Sequence, residues 1–202
     1  MEESIFNTEF QQKNTTSKIV VGLERISEVF RALLWEHAKT IGLSPIQIQL
    51  LIFIAYHKPE LCNVSHLAKE FNVTKPTISD AIKVLESKGV IVKEQSAFDS
   101  RSYSIFLSGE GKKIVTKTEG FANPIKGELD KIDNDQLDLL YESLNKLIFN
   151  LNRTGILSVQ RTCYGCGFYV SKEEKHHCNF LNKQLHNREI RLDCPEFKKK
   201  AG

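Results

Sequence analysis

Residues 63–89 read NVSHLAKEFNVTKPTISDAIKVLESKG, and this stretch decides the fold. Val64–Phe71 has the make-up of a short helix, Asn72-Val73 supplies a turn, and Thr74-Lys75-Pro76-Thr77 opens a second helix running to about Lys88. In that second helix Ile78, Ala81, Ile82 and Leu85 fall at i, i+3, i+4 and i+7, so one stripe packs inward. The opposite face and first turn offer Thr74, Lys75, Thr77, Ser79 and Lys83 to solvent. Small hydroxyls and a cation at the start of a helix are groups that can approach base edges and phosphates in a major groove. Gly89 stands where the helix must end in a residue free to take positive φ.

A hairpin follows. Val90–Glu94 and Ser102–Leu107 are β-prone runs, separated by the polar tip Gln95–Arg101. Asp99 and Arg101 lie two apart, so the carboxylate can brace the guanidinium as it reaches toward a minor groove. The alternative is a surface ion pair that contributes little. The expected fold is mainly α with a small β-wing. It is a winged helix-turn-helix flanked by long dimerisation helices, plus a small Cys-rich C-terminal region.

Over roughly residues 17–152 the chain resembles the MarR family of bacterial transcriptional regulators. The resemblance is carried by Leu43-Ser44-Pro45-Ile46-Gln47, the helix pair at 65–88, Leu85-Glu86-Ser87-Lys88-Gly89-Val90-Ile91, Asp99-x-Arg101 and Leu107-Ser108-Gly109-Glu110-Gly111. It implies a homodimer on a pseudo-palindromic operator in double-stranded DNA, expected to act as a repressor and open to a small-molecule effector. It also implies DNA contacts by Thr74, Lys75, Pro76, Thr77 and Ser79, with Arg101 on the wing. Ser65, Lys83 and Asp99 complete the candidate set. Many relatives carry arginines here, whereas residues 63–107 hold six Lys or Arg against five Asp or Glu. Modest affinity for generic DNA is expected, because the phosphate contribution follows the number of cations.

Composition sets outer bounds. The chain has 202 residues, 41% hydrophobic and 26% charged, with a net charge of +3 that neither demands nor excludes nucleic acid. No basic stretch leads into an apolar core and cleavage site, and Leu50–Tyr56 is too short to cross a bilayer. A cytoplasmic protein with no membrane partner is expected. Residues 1–16 are polar and unpatterned and are expected to be flexible; 17–152 form the DNA-binding and dimerisation domain; 153–202 form the Cys-rich region. Ile19, Val20, Leu23, Ile26, Val29, Phe30, Leu33 and Leu34 give Ser17–Thr40 a helical period, ended by Gly42. Ser44, Pro45 and Gln47 make a capping box for a helix that is apolar on nearly every side. Further helices are expected over Glu110–Ala122 and from Asp133 to Leu151. The first and last long helices have more apolar positions than a small winged domain needs. They either pool across two chains or pack on each other within one.

The tail holds four of the five cysteines: Cys163-x-x-Cys166, Cys178 and Cys194-Pro195. About 40 residues cannot build a self-sufficient core, so a staple is expected. Disulfides are not expected in a cytoplasmic protein, so metal is the simplest answer, with a tail that holds no metal as the remaining alternative. Four thiolates suit Zn2+ in a closed tetrahedron, and a [4Fe–4S] cluster is the alternative. His176 and His177 each stand close enough to Cys178 in sequence to replace a thiolate. Cys62 reads as a packed thiol, while Tyr164, Phe168, Tyr169, Phe180 and Phe197 read as cover for the metal. From residue 161 onward nine Lys or Arg face five Asp or Glu, and Lys198-Lys199-Lys200 lies close to the end, so the tail adds either phosphate contacts or a solvated run.

Three classes compete. The first is a transcriptional regulator modulated by a ligand, a thiol event or its metal. The second is a thiol or metal redox enzyme, but its Cys-x-x-Cys should open a helix in an alternating strand–helix pattern, which this sequence lacks. The third is a winged helix used as a protein- or RNA-interaction module. No nucleophile–base arrangement or phosphate-binding glycine loop is visible, and no enzymatic activity is expected.

Overall fold

The structure is a computed structural model that describes residues 4–95, 103–172 and 175–200. Asn7 opens a first helix, α1 (Thr8–Lys13), by accepting the amides of Glu9 and Phe10 at 2.9 and 3.3 Å. Asn14 then accepts the Ser17 amide at 3.0 Å and starts α2 (Thr15–Ile41). The sequence reading did not anticipate a helix before residue 16. Two asparagine caps organise it, each satisfying amide donors that a helix start leaves open.

Gly42, at φ 65°, closes α2 in the left-handed region. The chain turns through 92° into α3 (Pro45–Tyr56). The Ser44 amide donates to Gln47 Oε1 at 2.9 Å, as the capping box requires. Ile48, Leu50 and Leu51 are fully buried, making α3 the centre of the core. After a 3-10 turn at Pro59–Leu61, Asn63 caps α4 (Val64–Glu70) through the His66 amide at 2.9 Å. Asn72 takes φ 52° in the turn, and α5 (Lys75–Ser87) buries Ile78, Ala81, Ile82 and Leu85. That is the stripe read from the sequence.

Strands β1 (Ile91–Gln95) and β2 (Tyr103–Leu107) pair antiparallel, Ile91 opposite Leu107 and Gln95 opposite Tyr103. The Ile105 amide donates to the Cys62 carbonyl at 2.8 Å, fastening the wing base beside α4. Ser108 caps α6 (Gly109–Thr118), which continues through a 3-10 turn at Glu119–Ala122 into α7 (Asn123–Leu129). Asp133 caps α8 (Asn134–Arg153). Among the described residues, no single helix is long and apolar enough to cross a membrane.

The C-terminal region has a small core of its own: Cys163, Cys166, Tyr169, Leu185 and Ile190. Strands β3 (Tyr169–Lys172), β4 (Lys175–Cys178) and β5 (Lys183–Leu185) form an antiparallel sheet in that order. The sequence reading did not anticipate these strands. Runs of three or four residues are too short to display a two-residue period. Among the described residues the chain is thus mainly helical with two small antiparallel sheets.

Gly111 is where backbone approaches backbone. A Cβ placed there would lie 2.0 Å from the Val90 carbonyl oxygen, which also accepts the Ser108 amide at 3.0 Å. Neither group can rotate aside. Gly111→Ala is expected to cost about 3 kcal/mol, the upper end of ordinary overpacking. Urea unfolding monitored by circular dichroism checks this.

Candidate nucleic-acid interface and a four-cysteine cavity

The first turn of α5 is set by its own cap. Thr74 Oγ accepts the Thr77 amide at 3.3 Å and lies 2.8 Å from the Thr77 hydroxyl. Thr74, Lys75, Pro76 and Thr77 are all exposed, as is Ser65 on α4. Lys83 is exposed and pairs with Asp80 at 3.2 Å, a surface contact that water and phosphate can readily replace. Ser79 differs from expectation: it is only half-exposed, because it follows Ile78 immediately and lies at the edge of the buried stripe. Asp99 and Arg101 fall outside the described residues.

The helix-turn-helix is held by the tail at the end of α4 and at the turn. Arg161, with its side chain only 10% exposed, donates to both Glu70 oxygens at 2.7 and 2.9 Å and to both Asp193 oxygens at 2.6 and 2.9 Å. Its guanidinium also lies 5.7 Å from the Phe53 ring centroid, and Phe53 stacks on His57 at 3.7 Å. His57 Nε2 is 3.0 Å from Asp193 Oδ2. Ser158 donates to Asn72 Oδ1 at 3.2 Å, reaching the left-handed residue of the turn itself. On its other flank the tail meets α8. There Tyr141 donates to the Ile190 carbonyl, Asn187 donates to Glu142 at 3.1 Å, and Arg188 pairs with Asp138 at 3.0 Å. Sequence reasoning missed this clamp, since its members are scattered along the chain with no motif to join them.

Burial alone would push the Asp193 carboxyl up, but hydrogen bonds from Arg161 and His57 outweigh it and leave it below the usual range. Burial likewise opposes the charge on Arg161, and the two carboxylates more than restore it, so its pKa is raised.

All four tail cysteines line one cavity of about 30 Å³, together with apolar groups that include Phe168, Phe180, Leu181 and Leu185. All four are free thiols. The Arg191 amide donates to Cys163 Sγ at 3.2 Å, and the Arg191 guanidinium lies 3.8 Å from Cys194 Sγ. Burial first, then the neighbouring Cys194, Cys166 and Cys178 sulfurs, raise the Cys163 thiol, partly offset by that amide. Among the described residues, no three His, Cys, Asp or Glu side chains are placed to hold a single metal ion. His176 Nδ1 is 2.5 Å from the Tyr169 hydroxyl, and its ring stacks on that tyrosine and lines a separate hollow beside Glu142 and Lys146. Neither His176 nor His177 borders the thiol cavity. Cys62 is fully buried, and burial pushes its thiol up to about 11, as a packed side chain requires. Of the aromatic residues read as cover, Phe168, Tyr169 and Phe180 border the cavity, and Tyr164 and Phe197 pack against the surrounding core.

Two short helices joined by a tight turn, a two-stranded wing and long flanking helices define a winged helix-turn-helix. A profile of the MarR family matches residues 41–102, from the end of α2 into the wing. Similar solved structures include the S. aureus MepR–DNA complex, at 20% identity and TM-score 0.58, covering 65% of this chain and 97% of that one. A MarR transcriptional regulator from Methanosarcina mazei Go1 is 22% identical with TM-score 0.56, covering 67% of this chain and 98% of its own. The transcriptional regulator PA3341 is 25% identical with TM-score 0.58, at the same coverages. The likeness spans nearly all of those chains and about two-thirds of this one.

The clamp yields a pH prediction. A carboxyl held below its ordinary pKa adds stability that is fully present above the unfolded value and is lost as pH falls through the folded one. Stability should therefore decline below about pH 4, the ordinary aspartate value. Arg161→Ala should flatten that decline. At neutral pH it should cost about 3 kcal/mol, the low end for breaking a buried pair, because Asp193 is half-exposed. Denaturant titrations across pH test both points.

Proposed function

We propose that the protein is a DNA-binding transcriptional regulator, acting as a homodimer on a pseudo-palindromic operator and repressing what it covers. The observation that carries this reading is the exposed first turn of α5. Lys75 and Thr77 stand clear of the core there, on a fold whose similar structures include a protein–DNA complex. Lys75 supplies a phosphate contact, and Thr77, Pro76 and Ser65 meet base edges and backbone. From their sequence pattern Arg101 and Asp99 add further contacts to the duplex, and Ser79 contributes only at the margin of the contact.

Dimerisation is supported by apolar surface that one chain leaves uncovered. On α2, Ile19, Leu23, Ile26 and Phe30 follow a helical period and are exposed, Ile19 by 56%. On α8, Leu139 is 66% exposed. Such stripes favour a second copy as cover, and a closed two-fold arrangement would present two recognition helices to half-sites about 34 Å apart. A small-molecule effector would act by changing that separation. The four-cysteine region serves as a metal site that steadies the tail or reports on its state. The protein acts by binding rather than by catalysis.

The test is a gel shift or anisotropy titration with double-stranded DNA from upstream of the protein's own gene. Specific binding should exceed that to random duplex by at least about 1,000-fold. Lys75→Ala should lower the salt slope by about one, and Thr77→Ala should cost about 1–3 kcal/mol with altered base preference. Ile26→Asp should yield a monomer by light scattering and weaken operator binding. Sequence-independent affinity, unchanged by Lys75→Ala, Thr77→Ala and Arg101→Ala together, would overturn the reading.

A further inference from the structure

We propose that Cys163, Cys166, Cys178 and Cys194 bind a [4Fe–4S] cluster in the cavity they share, rather than a single zinc ion. This deepens the reading of the tail as a metal site and is independent of what the winged helix binds.

The first argument is spacing. A zinc ion with four thiolates draws every sulfur to about 2.3 Å from one point, which leaves no space between them. Here the four cysteines share the lining of a cavity of about 30 Å³. That exceeds the ~10–15 Å³ needed to admit one water. No three candidate ligands among the described residues are placed around a single ion. A cluster carries an iron to each thiolate, so it occupies the middle of such a site and lets the sulfurs stay apart.

The second argument is the lining. Phe168, Phe180, Leu181 and Leu185 give the cavity largely apolar walls, with Phe180 and Leu181 half-exposed at its rim beside Glu189 and Glu196, and apolar surroundings limit how much water reaches a cluster's sulfides. The polar groups that do reach the sulfurs are donors. The Arg191 amide points at Cys163, and the Arg191 guanidinium stands beside Cys194. Donors directed at sulfur stabilise the anionic cluster–thiolate unit and tune its potential. The third argument is the donor set. The imidazoles expected to compete lie elsewhere, His176 engaged by Tyr169, and the two carboxylates that border the cavity are held by other partners, Glu189 by Lys183 and Glu196 by Lys58, which leaves the thiols as the ligand set.

Loading requires no oxidation. When a preformed cluster bearing four small thiolates meets the apo-protein, its four iron–thiolate bonds break and four iron–cysteine bonds form. The four cysteine protons leave on the departing thiols.

The experiment uses the full chain, purified without oxygen. Iron and acid-labile sulfide in equal amounts, near four of each per chain, with broad visible absorption, are expected. Titrating apo-protein with a preformed [4Fe–4S] tetrathiolate should reproduce that spectrum at one cluster per chain. His176→Ala and His177→Ala should retain it. Cys178→Ser should lose it while keeping the helical circular dichroism. Should that variant fail to fold, cluster transfer into the unaltered chain remains the deciding measurement. Stoichiometric zinc with no visible absorption, and no uptake of the preformed cluster, would overturn the cluster while leaving a metal site. Absence of any bound metal, with neither zinc nor cluster taken up, would overturn both. Loss of the cluster on removing either imidazole would overturn the all-sulfur assignment.

Discussion

A guanidinium cannot be buried alone, and much of this molecule's organisation follows from where Arg161 finds its partners. One carboxylate comes from the last residue of α4 and the other from the residue before Cys194. Removing a charge from water costs several kcal/mol unless the surroundings restore its hydrogen bonds. Four short contacts and an aromatic face do so here. The tail is thereby held against the helix-turn-helix at a specific point. A patch of apolar contact would tolerate sliding, whereas a fork of paired hydrogen bonds does not.

The tail also reaches α8 through Tyr141, Asp138 and Glu142. It therefore lies between an element that carries uncovered apolar surface and the one that precedes the candidate recognition helix. The thiol cavity is part of the same assembly, since Cys194 adjoins Asp193 and the Cys194 amide donates to the Arg161 carbonyl at 3.2 Å. Few residues separate the sulfurs from the clamp.

Local chemistry was legible from the sequence, and distant pairing was not. The i, i+3, i+4, i+7 stripe of α5, the Ser44–Gln47 box and the Gly42 and Gly89 stops all appear where their spacing and side-chain types place them. Each depends on neighbours within one helical turn. Ser79 is less exposed than its place on the helix suggested, because a helical wheel cannot say how far the core wraps around its edge. The two asparagine caps near the start were missed because a helix of six residues shows no period. The grouping of the four cysteines was suggested by residue type, but their spacing around a cavity needed coordinates. Arg161 gave no local sign at all, its partners lying 91 and 32 positions away.

The 92° corner between α2 and α3 gives the molecule a lever. In an assembly joined along α2, the helix-turn-helix would extend from the Gly42 corner, with Leu34 and Ala38 of α2 sharing its core. A few degrees of rotation at that joint would sweep the tip of α5 through a much longer arc than anything moving within the seam. Shape change at a distance thus becomes a question of gearing, set by that corner and by how Leu34 and Ala38 pack beside it.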